Sequence, residues 1–178
     1  FYLRGAGYVM ESLNGAYKGF AEAMAQYTED TGAAFLARCK AADVESLYWA
    51  ACGILGAFSL DPMDTNTFSA VPGAVAMLER AAELRPAFND GAIWETLAAF
   101  YAAAPESLGG GADKAAEAYR KALELSGGQR PSVYILYAQS FCVPMQDSAG
   151  FDEALENALA IDPNTQPDNK LMITLSQE

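Results

Sequence analysis

The sequence contains no histidine, and its 11 lysines and arginines stand against 23 aspartates and glutamates, a net charge of −12. Without an imidazole there is no histidine base, no histidine-held metal and no Ser-His-Asp triad. Cations are too few and too scattered to form the basic patch of a nucleic-acid binder. Charged residues make up only 19% of the chain and hydrophobic ones 52%, which excludes a disordered acidic chain as well. Cysteine is scarce: Cys39, Cys52 and Cys142 are odd in number and lack C-x-x-C spacing. They give neither a disulfide framework nor a metal cage and read as small core residues. No run of 18 apolar residues exists to span a membrane. The start Phe1-Tyr2-Leu3-Arg4 has neither a methionine nor a basic leader, and the end Leu175-Ser176-Gln177-Glu178 falls inside a helical pattern. Both ends read as cut, with any signal peptide or lipid-anchor segment removed.

What is present is alanine, roughly a fifth of the 178 residues, set in long segments with a 3.6-residue apolar period. Such a length makes one domain with one core. Helices are expected near 1–14, 16–28, 32–42, 43–58, 70–84, 90–104, 112–125, 131–142, 149–160 and 167–177. Asp43 and Asp90 precede apolar-periodic runs and read as N-caps whose side chains accept a backbone N–H. Pro72, Pro131 and Pro167 read as first-turn prolines, Gly127 and Gly128 as a helix stop, and Pro86 and Pro163 as residues just past two helix ends.

The helices repeat. Glu79–Pro86, Arg120–Gly127 and Glu156–Pro163 each end a helix and are preceded by Ala74 and Leu78, Ala115 and Tyr119, and Phe151 and Leu155. This is the A-x3-F-x2-A-x4-P half of a tetratricopeptide repeat. The W-x2-L-G-x2-Y half appears three times: Trp49-Cys52-Gly53-Gly56, Trp94-Leu97-Ala98-Tyr101 and Tyr134-Tyr137-Ala138-Phe141. The periods, about 41 and 36 residues, exceed the usual 34 because the segments 60–69 and 105–112 read as long loops. The fold expected is all-α, a single TPR-like helical-repeat domain. Residues 1–42 form atypical N-terminal helices, 43–163 three helix pairs, and 164–178 a truncated C-terminal helix.

Few residues invite chemistry. Gly109-Gly110-Gly111 with Lys114 lacks the G-K-[ST] ending and the preceding strand of a phosphate loop, and reads as a flexible turn between repeat helices. Glu79 and Glu83, with Arg80 and Arg85 beside them, read as a solvated, partly paired face. Asp147, Asp152, Glu153, Glu156, Asp162 and Asp168 make the last third acidic without the spacing of a calcium loop. Residues 131–178 hold seven acids against Lys170, half of the net negative charge, which suits a docking face for a basic partner. No metal or cofactor is expected. The aromatics Tyr48, Trp49, Trp94, Tyr101, Tyr119, Tyr134, Tyr137 and Phe141 mostly hold repeat-signature positions, where inter-helix packing is their ordinary role. If they reach a concave side, their rings and hydroxyls line an apolar groove with polar handles, the usual character of a small-ligand site. The candidate ligand-binding set is Tyr48, Trp49, Trp94, Tyr101, Tyr134, Tyr137 and Phe141.

Several segments together resemble one family: Leu47-Tyr48-Trp49, Asp90-Gly91-Ala92-Ile93-Trp94-Glu95, Leu108-Gly109-Gly110-Gly111, Leu123–Gly128, Cys142–Asp147 and Ala158–Pro163. The string is similar to the TatT family, the T components of tripartite ATP-independent periplasmic (TRAP) transporters, from about Leu47 to the chain end. The first 45 residues fit only as helical filler. The resemblance implies a periplasmic lipoprotein anchored through an N-terminal cysteine that this chain does not contain. It further implies a trimer-forming helical repeat, association with the solute-binding P component, and an apolar passage suited to a hydrophobic solute. The cationic tail usual after the last helix is missing.

Two functions of different class compete. One is a non-catalytic accessory component for uptake of a small hydrophobic organic solute; the other is a general TPR scaffold that binds peptides of other proteins. The scaffold reading calls for a basic carboxylate clamp, and 11 scattered cations offer no evident one. An enzyme is the weakest reading, since no nucleophile-base pair can be assembled without histidine.

Overall fold

A computed structural model describes residues 1–166 and 169–177. Among these there is no β-strand, and the paired-helix, all-α architecture expected from the repeat signatures is the one observed. Pro167, the expected helix start, and Asp168 and Glu178 of the acidic stretch lie outside the described residues. The chain forms two compact units, residues 1–88 and 89–178.

In the first unit, α1 (Tyr2–Ala16) and α5 (Thr65–Leu84) both pack on α4 (Val44–Leu60), while α2 (Phe20–Ala25) and α3 (Gly32–Arg38) lie against α5. The stripe Val71, Ala74, Val75, Leu78, Ala81 and Ala82 follows the helical i, i+3, i+4, i+7 rule and is the buried face of α5. Phe20, Leu47, Met77 and Leu78 are fully enclosed. Gly73 lets the two layers touch, for a Cβ there would strike the backbone carbonyl of Met24 in α2. Arg80 fastens α3 to α5: its Nε donates to the Leu36 carbonyl at 3.0 Å and its second nitrogen to the Cys39 carbonyl at 3.1 Å. The Leu36 carbonyl also accepts Cys39 N–H at 3.0 Å, so the arginine adds a second donor where α3 ends.

In the second unit, α6 (Ala92–Ala103) pairs with α7 (Ala112–Leu125). Next come α8 (Pro131–Tyr137), a π-turn over Ala138–Cys142 and the short α9 (Val143–Met145). α10 (Ser148–Leu159) packs on α8 and the π-turn, and α11 (Asn169–Leu175) on α8. The signature alanines Ala98, Ala115, Ala122, Ala138 and Ala158 are buried where helices meet. α7 stops in a Schellman motif: Gly128 N–H donates to the Leu123 carbonyl at 3.1 Å and Gly127 N–H to the Glu124 carbonyl at 3.0 Å. Gly127 takes the left-handed conformation that this ending requires, at φ 58°, and Gly128 follows at φ 69°.

Several expected boundaries and caps are corrected. Asp43 sits at the N-cap of α4 but makes no capping bond. Its carboxylate turns back to accept Tyr17 Oη–H and Lys40 N–H, both at 2.7 Å. Asp90 lies in a short turn with φ 52°; Gly91 takes the N-cap place, and the Asp90 carboxylate accepts from Gln166 Nε2 at 2.9 Å. Pro72 is inside α5 rather than in its first turn, because Asp64 caps the helix by accepting Asn66 N–H at 3.2 Å. The proline is on the solvent side, where water can serve the carbonyl it leaves without a donor. Most of the long loop expected over 60–69 is therefore helix. The helix expected over 16–28 shrinks to α2, since Gly19 turns left-handed and the Asn14 side chain accepts Gly19 and Ala21 N–H groups at 3.0 and 3.3 Å. The helix expected over 131–142 changes pitch at its π-turn, just ahead of Pro144, which has no N–H to continue an α pattern.

Candidate functional site

The candidate aromatics divide between the units. In the first, α4 carries Tyr48 inward, where its ring meets Phe88 at 5.3 Å and Trp49 at 5.0 Å between centroids. Trp49 itself is 53% exposed, so its role is not the inter-helix packing its signature position ordinarily implies. With Phe1, Tyr2, Val9, Cys52 and Gly53 it lines a shallow cavity of about 360 Å3 between α1 and α4. Gly53, the small residue of that signature, faces Ala6 of α1, whose Cβ lies 2.8 Å from where a Cβ on Gly53 would sit. The N-terminal helix therefore closes on α4 through the repeat's own contact position.

In the second unit, Trp94 stands under Lys121, whose Nζ is 4.1 Å from the ring centre, a cation–π contact. Lys121 also pairs with Glu117 at 2.8 Å. Tyr101 is buried beside Phe100 at 5.9 Å, and Lys114 Nζ lies 5.5 Å from its ring centre. Lys114 donates to the Gly109 carbonyl at 3.1 Å, so the lysine of the glycine-rich segment is turned to backbone.

Tyr137 and Phe141 are a second pair of candidates in ring contact, after Tyr48 and Trp49. They stack at 5.4 Å and 21°, and Tyr119 of α7 stacks on Tyr137 at 4.9 Å and 26° and contacts Phe141 at 5.7 Å. All three rings are half-buried. Desolvation pushes the Tyr119 pKa up to about 12, and the neighbouring Tyr134, Tyr137 and Cys142 add to the shift. Tyr134 approaches from the end of α7: its hydroxyl lies 2.9 Å from where a side chain on Gly128 would begin. The result is a partly wet aromatic wall with phenol hydroxyls among apolar rings, able to stack on a flat apolar molecule and hydrogen-bond its edge. Tyr119 belongs to it, although its place in the A-x3-F signature marks it only as packing. The missing signal was the i, i+4 pair Tyr137 and Phe141 on the next repeat, which needs an aromatic partner opposite.

The described residues contain no cluster of three or more Cys, Asp or Glu side chains suited to a metal ion, and no helix long and apolar enough to cross a membrane. Several cations are engaged within the chain. Arg130 pairs with Glu95 at 3.2 Å and donates to the Asn89 carbonyl at 3.4 Å, and Arg80 adds a 2.8 Å pair with Glu83 to its two carbonyl bonds. The Glu79–Glu83 face is thus partly paired, and its arginine serves the fold.

Residues 1–178 match the family model described as TRAP transporter T-component. The match takes in the first three helices as well as the stretch from Leu47 onward that carries the resemblance. A Treponema pallidum (strain Nichols) protein described as uncharacterized is 45% identical over 177 residues, 99% of this chain. The chain spans 55% of that relative's length.

Proposed function

The chain belongs to the TRAP transporter T-component family, and from that membership we propose that it is a non-catalytic accessory component of a TRAP-type transporter. It works in the periplasm, held there by a lipid anchor on the full-length precursor, as a trimer of TPR-like scaffolds that associates with the solute-binding P component. It binds or passes a small hydrophobic organic solute. The observation that carries the reading is the family match over the whole chain, residues 1–178. The half-buried wall of Tyr119, Tyr137 and Phe141 supports its ligand-binding half, with Tyr134 beside it. Tyr48, Trp49, Trp94 and Tyr101 remain further candidates for ligand contact, of which Trp49 is the most exposed to an incoming molecule.

The competing peptide scaffold finds less support. A carboxylate clamp needs arginines or lysines offered outward, whereas Arg80, Arg130, Lys114 and Lys121 are turned to carbonyls, carboxylates and rings of the same chain. Co-purification of the tagged chain with its transporter's P component, followed by native mass spectrometry, tests the proposal. The expected result is a defined complex of T trimer and P component. A chain that stays monomeric, ignores the P component and captures C-terminal peptides instead would be a general scaffold.

A further inference from the structure

The cavity between α1 and α4 follows from how those helices touch. Gly53 faces Ala6, and one turn further along α4 a Cβ on Gly56 would meet the Tyr2 ring at 2.7 Å. The helices therefore run antiparallel and in close contact there. In that register Trp49, about one turn before Gly53, comes beside Val9, just beyond Ala6, and both line the cavity. The indole stays half in water. The space is preformed, because α1 has no room to move in on Trp49 while Gly53 and Gly56 already hold the helices together.

Gly5 leaves the room. It lines the cavity, and nothing lies within 4 Å of where its Cβ would be. Glycine inside a helix is less stable than alanine, so α1 gives up helix stability at a position where a side chain would fit. Gly7 has the same open surroundings but does not line the cavity. The lining contains no lysine, arginine, aspartate or glutamate. Arg4, next to Gly5 in sequence, is held over the Phe1 ring, 5.4 Å from its centre. A charged ligand would lose water here without an opposite charge in the lining to receive it. The volume, about 360 Å3, is near the lower end of small-ligand sites, roughly 300–1,000 Å3, and holds one or two rings.

We propose that this cavity binds a small, neutral, flat aromatic molecule of one or two rings, held between the Trp49 indole and the glycine-bearing face of α1. The inference rests on the solute-binding half of the function proposed above. It adds a ligand class and a place in the first unit, apart from the ring wall, and takes nothing from the P component or the trimer. An exposed indole face stacks on an aromatic ring without needing a charge on either. The bare Cα of Gly5 lets that ring lie close to the helix.

The test titrates 2-naphthol into the whole chain and follows alanine and valine methyl signals by NMR. Ala6 and Val9 line the cavity, so their methyls should shift in the ring current of the bound probe, with a dissociation constant below about 1 mM. These shifts locate the site in the wild-type chain, whatever the variants do. Gly5→Leu fills the space and should weaken binding about tenfold or more, while its thermal melt stays at or above the wild-type one, leucine being the better helix former. Gly7→Leu, the same exchange on α1 away from the cavity, should change affinity less than about twofold. The anion 2-naphthoate and the cation 2-naphthylmethylammonium should each bind about tenfold more weakly than 2-naphthol. Equal losses from Gly5→Leu and Gly7→Leu would leave only an effect on α1 as a whole and overturn the site. Either charged probe binding as tightly as 2-naphthol would overturn the neutral class, and an unmoved spectrum up to about 1 mM would overturn the cavity itself. Shifts confined to methyls at the ring wall, such as Ala138, would place the ligand there, and this inference would fail with solute binding intact. The P component takes no part in the measurement, so the accessory function stands or falls separately, by the co-purification above.

Discussion

Ring stacking at Tyr137 divides its energy between two neighbours, Tyr119 at 4.9 Å and Phe141 at 5.4 Å. Such pairs contribute about 0.5–1.5 kcal/mol each beyond the area they bury, so Tyr137→Ala should cost about 1–3 kcal/mol. The half-buried position predicts that the helical circular-dichroism signal survives while binding of a lipophilic probe such as Nile red weakens. Loss of both together would make Tyr137 a core residue. Gly73 gives the opposite kind of test. Alanine is the better helix former by about 1 kcal/mol, but its methyl at this position would enter the Met24 carbonyl, which belongs to backbone and cannot rotate away. Overpacking of this kind costs about 1–3 kcal/mol, so Gly73→Ala should lower the urea midpoint despite its helix propensity.

At the scale of elements, α3 is only Gly32–Arg38 and depends on its neighbour for stability. Arg80→Met keeps the apolar stem and removes the donors to the Leu36 and Cys39 carbonyls. Hydrogen bonds from a charged donor contribute about 1.5–3 kcal/mol, and the expected loss, read by urea denaturation, is about 2 kcal/mol. Protease cleavage should rise first within α3. The sequence made α4 through α7 and α10 legible because their apolar residues recur at helical spacing and their signature alanines end up between helices. It misled at the ends. Asp43 and Asp90 have the right residue type for caps, yet Tyr17 and Gln166 offer their carboxylates other donors, from 26 and 76 positions away in sequence. The first turns of α5 were hidden because Thr65, Asn66 and Ser69 face water and carry no apolar period. The ring wall was half legible: Tyr137 and Phe141 share one face at i, i+4, but no local pattern joins them to Tyr119. Tyr48 and Trp49 belong to the first unit and the ring wall to the second.

For the whole molecule, the absence of histidine leaves thiols and phenols to set the pH response above neutrality. Tyr17 is held up to about 12 chiefly by its hydrogen bond to Asp43, Tyr119 up to about 12 by burial, and Cys39 up to about 11 by burial. Each group is neutral when protonated, and the folded state binds its proton more tightly than the unfolded chain does. Their stabilisation is complete below the unfolded pKa values, 10.0 for tyrosine and 9.0 for cysteine, and is lost as pH climbs through the raised ones. Thermal melts should therefore be level from about pH 7 to 9 and fall steeply between about pH 10 and 12. Tyr17→Phe, with no proton to lose, should blunt that fall. The three thiols also part company. Cys39 and Cys142 are each 2% exposed, with pKa values raised by burial, while Cys52 is half-exposed at the cavity beside Trp49. A thiol reagent attacks the thiolate, so brief treatment with a maleimide dye near neutral pH should modify about one site per chain. The wild-type protein thus carries its own attachment point for a fluorophore, close enough to an indole for quenching to report any molecule that slides between them.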